Sequence, residues 1–320
     1  MNECPPVMIC GFNRPDCLVR VFEKVRKARP SKLFLVLDAP REGRPSDAPA
    51  CEACRKIFDG VDWPCDVKRN YAERNMGCRD RMETGITWVF KHVDRAIILE
   101  DDCVPDDTFF RFCGELLEQY KDDSRVGMIC GHWENLSMDK LESHGASYYF
   151  DRFASIWGWA TWKRAWDMHD PKMGYVPELD KQFDIMEGFY HDRPSVRRRR
   201  KRVWGLYRRT VGAWDGAWFT TVQIENWLCI HPYRNLVSNI GSHISSRVDN
   251  AGKTGERKPW DSLPTQPMEF PLKAPLTMMP DPKAEKLTLI DCYQLHYRRW
   301  WLSHLPSWVL CKVLKIIKVR

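Results

Sequence analysis

The chain has 320 residues, which is enough for one large domain or two small ones. Its net charge of +7 is modest and concentrates in residues 196–202 and in the C-terminal tail, so a uniformly basic protein is excluded. No apolar run is long enough to span a bilayer, and the first residues lack the charged and apolar regions of a signal peptide. Without a secretory signal, the thirteen irregularly spaced cysteines predict reduced thiols and a cytoplasmic protein.

Apolar runs and amphipathic segments alternate through the first 130 residues. The apolar runs predict strands at residues 7–12, 32–37, 66–71, 95–99 and 126–131. Helical periodicity and capping signals predict helices at residues 17–27, 51–58, 78–93 and 108–120. This alternation implies βαβ units, and therefore an α/β fold with a mostly parallel sheet.

The predicted strand at 95–99 runs directly into three carboxylates, Glu100, Asp101 and Asp102. In open α/β sheets, ligands bind at the carboxyl ends of the strands. Adjacent acids repel one another unless a cation is present, and carboxylate oxygens favour Mg²⁺ or Mn²⁺. We therefore expect a divalent-metal site there, holding a phosphorylated ligand. A solvated loop end is the simpler alternative for an isolated acidic triplet.

Arg14 and Asp38 follow the first and second predicted strands, so both are expected at the same edge of the sheet. A carboxylate for a base or ribose and a cation for a diphosphate would build a nucleotide pocket. Spacing alone favours the simpler interpretation, in which Asp38 starts a turn and Arg14 pairs with a surface acid.

Tryptophans dominate the second half of the chain. Trp159, Trp162 and Trp166 recur at helical spacing, which favours core packing, whereas Gly158 would allow a sugar or nucleotide to approach the backbone closely.

Asp215 lies between Trp214 and Trp218, and partial burial of its carboxylate would suit a general base. The alternative is that Asp215 caps a helix. Glu225 is the next candidate for the base.

Taken together, the motifs resemble the GT-A-fold nucleotide-sugar glycosyltransferases. The resemblance is to the bacterial hemolytic protein HlpA-like family and, more distantly, to the Golgi mannoside N-acetylglucosaminyltransferases. It covers residues 7–241 in a preserved order. The matching stretches are CGFNRP (10–15), NMGC (75–78), GITWVF (85–90), IILEDD (97–102), FFRFC (109–113), WGWATW (157–162), WD (214–215) with Trp218, and NLVSNIG (235–241).

The resemblance implies a Rossmann-like GT-A fold, with a mixed, mostly parallel sheet flanked by helices. The acidic triplet matches the DxD-type motif, so Asp102 would bind Mn²⁺ or Mg²⁺, while Glu100 and Asp101 would contact the nucleotide-sugar donor. Arg14 and Asp38 match positions that hold the nucleotide. A UDP-sugar is favoured, with a slight preference for UDP-GlcNAc.

The resemblance also implies an inverting transfer of a hexosyl or N-acetylhexosaminyl group, with Asp215 as the general base. Two departures weaken the match. His243, a candidate metal or phosphate ligand, is shifted from its usual place. Gly212 stands where the bacterial relatives tend to carry another acid.

The sequence predicts a glycosyltransferase domain over residues 1–250, a Pro-rich wrapping segment over 251–296 and a basic amphipathic helix with several tryptophans over 297–320. This helix would either dock peripherally on the inner face of the cytoplasmic membrane, suiting a glycan or lipid-linked acceptor, or pack on the domain.

Two rival functions stay open. One is a metal-dependent nucleotidyl- or phosphotransferase, although no Gly-rich phosphate loop is present. The other is a non-catalytic basic adaptor for membrane or nucleic acid, suggested by the run at 197–202. No motif for specific nucleic-acid recognition accompanies that run, and a solvated loop or helix face is its simpler interpretation.

Overall fold

The computed structural model describes residues 4–133, 141–190, 193–241 and 262–291. Its strands are β1 (Val7–Gly11), β2 (Lys32–Leu37), β3 (Asp66–Tyr71), β4 (Arg95–Glu100), β5 (Cys103–Pro105), β6 (Val126–Cys130), β7 (Tyr148–Asp151), β8 (Trp159–Trp162), β9 (Leu228–Pro232) and β10 (Val237–Asn239). Its helices are α1 (Pro15–Ala28), α2 (Asp47–Phe58), α3 (Gly77–Val89), α4 (Phe109–Gln119), α5 (Lys163–Trp166), α6 (Val176–Lys181), α7 (Glu187–Tyr190), α8 (Arg193–Tyr207), α9 (Asp215–Ile224) and α10 (Pro282–Asp291).

Eight of the described strands form one sheet in the order β3-β2-β1-β4-β8-β6-β9-β7. The pairs β1–β2, β2–β3, β1–β4 and β6–β9 are parallel. The pairs β4–β8, β6–β8 and β7–β9 are antiparallel. The predicted Rossmann-like α/β fold, with a mixed, mostly parallel sheet flanked by helices, is confirmed. The predicted tail helix at 297–320 lies outside the described residues.

The central strands are buried on both faces, as their continuous apolar sequences predict. In β4, Ile97 and Leu99 pack into a core covered by α1, α2 and α4. The alternate residues Ala96 and Ile98 pack into a second core, on the side of α3 and α9. The carboxyl end of β4 is thereby held between two packed layers.

The tryptophan-rich segment is a strand followed by a short helix. Trp159 and Trp162 lie in β8, and Trp166 ends α5. Residues an odd number of positions apart in a strand point to opposite faces. Accordingly, Trp159 packs on the α3 side of the sheet and Trp162 on the α4 side. The prediction that these rings pack in the core is confirmed. The interpretation that they form one buried helix face is wrong, because the three residues are divided between β8 and α5.

The side chain of Val237 packs against the backbone of Gly158. Gly158 has a φ of 70°, and a Cβ atom there would lie 2.6 Å from a methyl carbon of Val237. Val237 belongs to β10, which pairs with β5 in a small second sheet. The glycine is therefore needed for close packing of β10, and the hypothesis of a sugar wall at Gly158 is wrong.

The arginine-rich run at 197–202 lies in α8. Arg199 points inward and donates hydrogen bonds to Thr220 Oγ1 (2.8 Å) and Gln223 Oε1 (3.2 Å) of α9. Arg200 pairs with Asp180, while the flanking Arg197 and Lys201 are exposed. The run is thus a largely solvated helix face with one arginine that ties α8 to α9.

Residues 262–291 follow the surface of the same unit. Gln266 N donates to Asn235 O (2.8 Å), and Pro280 forms a parallel bridge with Phe150 of β7. The sequence analysis missed α10, where the carboxylate of Glu285 forms a two-pronged ion pair with Arg152. Among the residues described, no helix has both the length and the apolar character needed to cross a membrane.

Candidate active site

A cleft of about 280 Å³ opens at the carboxyl ends of β1, β2 and β4, beside the first turn of α3. Between β1 and β4 the chain changes the direction in which it adds strands, which is where ligands bind in such sheets. The cleft is lined by Cys10, Gly11, Phe12, Arg14, Asp38, Arg41, Asn75, Gly77, Cys78, Arg81, Met82, Glu100 and Asp101.

Arg14 is the cation of the acidic triplet. Its Nη1 lies 2.7 Å from Asp102 Oδ2, and its Nη2 donates to Asp101 Oδ1. Both aspartates are only 2% exposed, so their charges are screened little by water. The second oxygen of Asp101 accepts a hydrogen bond from Phe12 N (3.2 Å). The structure thus brings Arg14 together with Asp101 and Asp102, so Arg14 pairs with two buried acids and not with the surface acid that spacing alone favoured.

Asp102 lies behind the cleft, against the chain that follows β10. Asn239 Nδ2 donates to Asp102 Oδ1 (3.3 Å), and Ile240 N donates to the Asp102 backbone carbonyl (2.9 Å). A Cβ atom at Gly241 would lie 2.1 Å from Asp102 Oδ2 and 2.8 Å from Arg14 Nη1. Only a glycine fits against this ion pair.

Glu100 lines the cleft, and burial raises the pKa of its carboxyl to about 8. The negative charges of Asp102, Asp101 and Asp215 raise this pKa further, whereas Arg14 opposes them. Burial also raises the pKa of Asp101, again against the effect of Arg14. The triplet is therefore short of positive charge even with Arg14 in place.

The carboxylate oxygens of the acidic triplet are chemically suited to a hard divalent cation. Asp101 and Asp102 both contact the guanidinium of Arg14, which stands where a positive charge is needed. Within the described ranges, no group of three His, Cys, Asp or Glu side chains is arranged to hold a metal ion. A metal at Asp102 would therefore share or replace the contacts of Arg14. His243, the other predicted ligand, lies outside the described residues.

Asp38 lines the cleft, but its carboxylate is already occupied by the protein. One oxygen accepts from Ala39 N and Met76 N (both 2.9 Å), and the other from Gly77 N (2.9 Å) and Asn75 Nδ2 (3.2 Å). Asp38 thus fixes the loop that leads into α3 and satisfies backbone donors at the start of that helix. A direct contact of Asp38 with a nucleotide stays a prediction.

Asp215 is the first residue of α9, and its Oδ1 accepts a hydrogen bond from Gly216 N (2.8 Å). The neighbouring Trp214 and Trp218 are buried, while Asp215 itself is half-buried. Its negative charge raises the pKa of Glu100 and of Cys78, which line the cleft, but Asp215 is not itself among the lining residues. Glu225 lies at the other end of the same helix, about 15 Å away along its axis.

Sequence reasoning missed two cleft arginines. Arg81 is buried beneath the cleft, where its Nε donates to Leu37 O (3.1 Å). Arg41 forms a two-pronged ion pair with Asp47 and lies over the ring of Phe12 at 5.3 Å. A cation in the first turns of a helix that follows a strand is a usable signal for Arg81. Arg41 lies in a loop, where no periodicity marks it.

No protein-family model matches this chain, and no curated protein sequence matches it at a significant level. Solved structures resemble about half of it. A mannosyltransferase from Pyrobaculum calidifontis, in complex with GDP-Man and Mn²⁺, aligns over 49% of this chain and 44% of its own, with 13% identity and a TM-score of 0.33. The chain thus covers less than half of that enzyme.

Two further structures align over similar shares. A UDP-glucose pyrophosphorylase complexed with UDP-glucose aligns over 51% of this chain and 78% of its own, with 10% identity and a TM-score of 0.31. HddC from Yersinia pseudotuberculosis, complexed with GMP-PN, aligns over 50% and 77%, with 10% identity and a TM-score of 0.32. Likenesses of this size assign neither a family nor an activity to this chain.

Proposed function

We propose that this chain is an inverting glycosyltransferase that moves a sugar from a nucleoside-diphosphate donor to an acceptor hydroxyl. One observation carries the proposal. The cleft at the carboxyl ends of β1, β2 and β4 holds Arg14 paired with Asp101 and Asp102, and a half-buried carboxylate, Asp215, is close enough to act electrostatically on Glu100 of the cleft. A transferase of this kind needs both parts, one to bind the diphosphate sugar and one to activate the acceptor.

The donor would bind along the triplet. Arg14 is the cleft cation best placed to meet the negative charge of a diphosphate, while Glu100 and Asp101 would accept hydrogen bonds from ribose or sugar hydroxyls. Asp38 would act on the nucleotide through the loop at 75–77, or directly. The sequence resemblance favours a UDP-sugar, and the transferred group would be a hexose or an N-acetylhexosamine.

Mn²⁺ or Mg²⁺ would be held by Asp102, and His243 is a candidate for a further ligand. When bound, such a cation supplies Lewis-acid stabilisation of the negative charge on a departing diphosphate. The burial of Asp102 is favourable for this role, because charge interactions are stronger where water is scarce.

Asp215 would take the proton from the acceptor hydroxyl. As the acceptor oxygen forms a bond to the anomeric carbon, the bond from that carbon to the diphosphate oxygen breaks and the nucleoside diphosphate leaves. The proton ends on the Asp215 carboxylate, and a single displacement inverts the anomeric configuration.

The donor half is tested by thermal shift with UDP- and GDP-sugars, with and without Mn²⁺. We expect metal-dependent stabilisation by at least one donor and its loss in Asp102→Asn. The control is Asp107→Asn, an acid outside the cleft that pairs with Lys24 and Lys27. Retained Mn²⁺-dependent donor affinity in Asp102→Asn would contradict the assignment of the metal site. Release of pyrophosphate in place of a nucleoside diphosphate would identify a nucleotidyltransferase instead.

The acceptor half is tested by Asp215→Asn, which should bind donor normally and lose transfer by about 10²- to 10⁴-fold, as expected for loss of a general base. Glu225→Gln changes an acid at the far end of the same helix and should leave turnover unchanged. Near-normal turnover of Asp215→Asn would exclude it as the base, and a defect confined to Glu225→Gln would transfer the role to Glu225.

The acceptor would be a glycan or a lipid-linked sugar. For a lipid-linked acceptor, the basic segment at 297–320 would hold the enzyme at the inner face of the cytoplasmic membrane. Deleting the residues after Tyr297 should then move the protein from the membrane fraction to the soluble fraction. An unchanged distribution would favour a helix packed on the domain.

A further inference from the structure

A buried histidine joins α3, which lines the cleft, to α9, which begins at Asp215. His169 Nε2 lies 2.9 Å from Glu83 Oε2 of α3, and His169 Nδ1 lies 2.9 Å from Thr221 Oγ1 of α9. The side chains of His169 and Glu83 are 1% and 7% exposed. This chain of three polar groups therefore lies inside the protein, away from the cleft itself.

The surroundings of His169 are apolar. The rings of Trp166 and Trp218 have their centroids 4.7 Å and 5.6 Å from that of His169. One carboxylate oxygen of Glu83 is buried, with no hydrogen-bond partner among the described residues. Burial of an under-satisfied carboxylate opposes folding, so this arrangement is poorly explained as a device for stability alone. Its directional hydrogen bonds fix the geometry between the two helices instead.

Glu83 and Thr221, the two outer groups of this hydrogen-bonded trio, are each close to a part of the proposed site. On α3, Glu83 directly follows Arg81 and Met82, which line the cleft. On α9, Thr221 lies six residues after Asp215, which is about 9 Å along the helix axis. A displacement at Thr221 is therefore carried to Asp215 by less than two turns of rigid helix.

A second contact from α3 supports the same coupling. The guanidinium of Arg79, also buried, donates to Leu206 O (2.9 Å) at the end of α8 and to Pro171 O (3.2 Å). The segment that leads into Asp215 is thus held to the same helix that lines the donor cleft. Helix α3 is therefore linked to α9 itself through His169. Through Arg79 it is also linked to the end of α8, which precedes α9 in the chain.

We propose that His169 is a positioning residue, which sets the distance between the donor cleft and Asp215 through Glu83 and Thr221. This inference rests on the proposed role of Asp215 as the base. The two ring nitrogens of His169 contact one helix each, and the Thr221 hydroxyl also donates to Ala217 O (3.2 Å) of its own helix. Loss of the link leaves donor binding intact and misplaces the base.

The sharpest test is Thr221→Val, which removes the hydroxyl at nearly constant volume. We expect kcat to fall about 10-fold while the KM for the donor stays within twofold, because small displacements of a catalytic group lower the rate strongly. Thr221→Ser keeps the hydroxyl and should restore kcat. Thr220→Val is the matched control, since Thr220 is buried on the same helix but its hydroxyl accepts from Arg199. Its kcat should stay within twofold of the parent.

Hydrogen exchange gives a readout that does not depend on activity. Amides at residues 212–218 should exchange faster in Thr221→Val than in Thr220→Val at equal global stability. Equal exchange, or an unchanged kcat per folded molecule, would overturn the positioning role. If the parent protein transfers no sugar from any donor, the proposed function fails, and the exchange comparison still decides whether His169 couples the two helices.

Discussion

The regions that we propose to bind the donor and the acceptor, termed the donor side and the acceptor side, are stabilised by different forces. On the donor side, buried charges set the geometry: Arg14 pairs with Asp101 and Asp102, and Asp38 gathers backbone N–H groups. On the acceptor side, α9 packs through tilted indole rings, with the centroid of Trp218 lying 5.5 Å from that of Trp159 and 5.2 Å from that of Trp166. The donor side should therefore respond to cations and pH, and the acceptor side to side-chain volume.

The largest effect is expected on the acceptor side. Trp218→Ala removes a ring that is fully buried, so the free energy of unfolding should fall by about 3–5 kcal/mol. Mn²⁺ should not restore it. The free energy of unfolding should fall less in Trp218→Phe, because the buried indole N–H has no hydrogen-bond partner among the described residues. Urea unfolding measures both losses, and restoration of Trp218→Ala by Mn²⁺ would break the distinction between the two sides.

On the donor side, Arg14→Met leaves two buried carboxylates without their cation and should lower the free energy of unfolding by about 3 kcal/mol in metal-free buffer. Mn²⁺ should recover part of this loss if the acids hold a metal. The control is Arg20→Met, at an exposed position of α1, the helix that follows Arg14. It should change the free energy of unfolding by less than about 0.5 kcal/mol. Thermal unfolding with EDTA and with Mn²⁺ measures the difference. Equal losses in both buffers would argue against a metal at Asp102.

The smallest effect concerns pH at the rim of the cleft. The hydrogen bonds from Arg41 lower the pKa of Asp47 to about 2. Because the folded pKa lies below the unfolded value, this contribution is present above about pH 4 and disappears as the pH falls towards 2. We expect a loss of about 1–2 kcal/mol across this interval, and a flatter dependence in Asp47→Asn. Identical acid unfolding curves for the parent protein and Asp47→Asn would refute this contribution of the Arg41–Asp47 pair.

The two sides also differ in how far the sequence predicts them. The donor side consists of βαβ units, whose buried strands and amphipathic helices are read from local patterns. Placing Arg14, Asp38 and the triplet at one edge then follows from strand direction alone. What local patterns could not reveal is that Asp38 is occupied by the loop at 75–77, because its partners lie almost 40 residues away.

The acceptor side depends on contacts that the sequence does not display. The tryptophans of β8 and α5 share one helical spacing across two different elements, and the covering of Gly158 by Val237 joins residues 79 positions apart. His169 carries no motif at all, because its partners lie 86 residues before it and 52 after it. Asp215 was found only through its flanking rings and the family resemblance.

The pairing of β10 with β5 has a genetic consequence. Asn239 faces Asp102, and Gly241 packs against it, only in the register that places Val237 opposite Pro105. A shift by one residue would turn the side chains of Val237 and Asn239 to the other face of the strand. A single-codon deletion in β10, more than 130 codons downstream of the acidic triplet, would therefore resemble a lesion in Asp102 itself. A screen for inactive alleles should recover both classes.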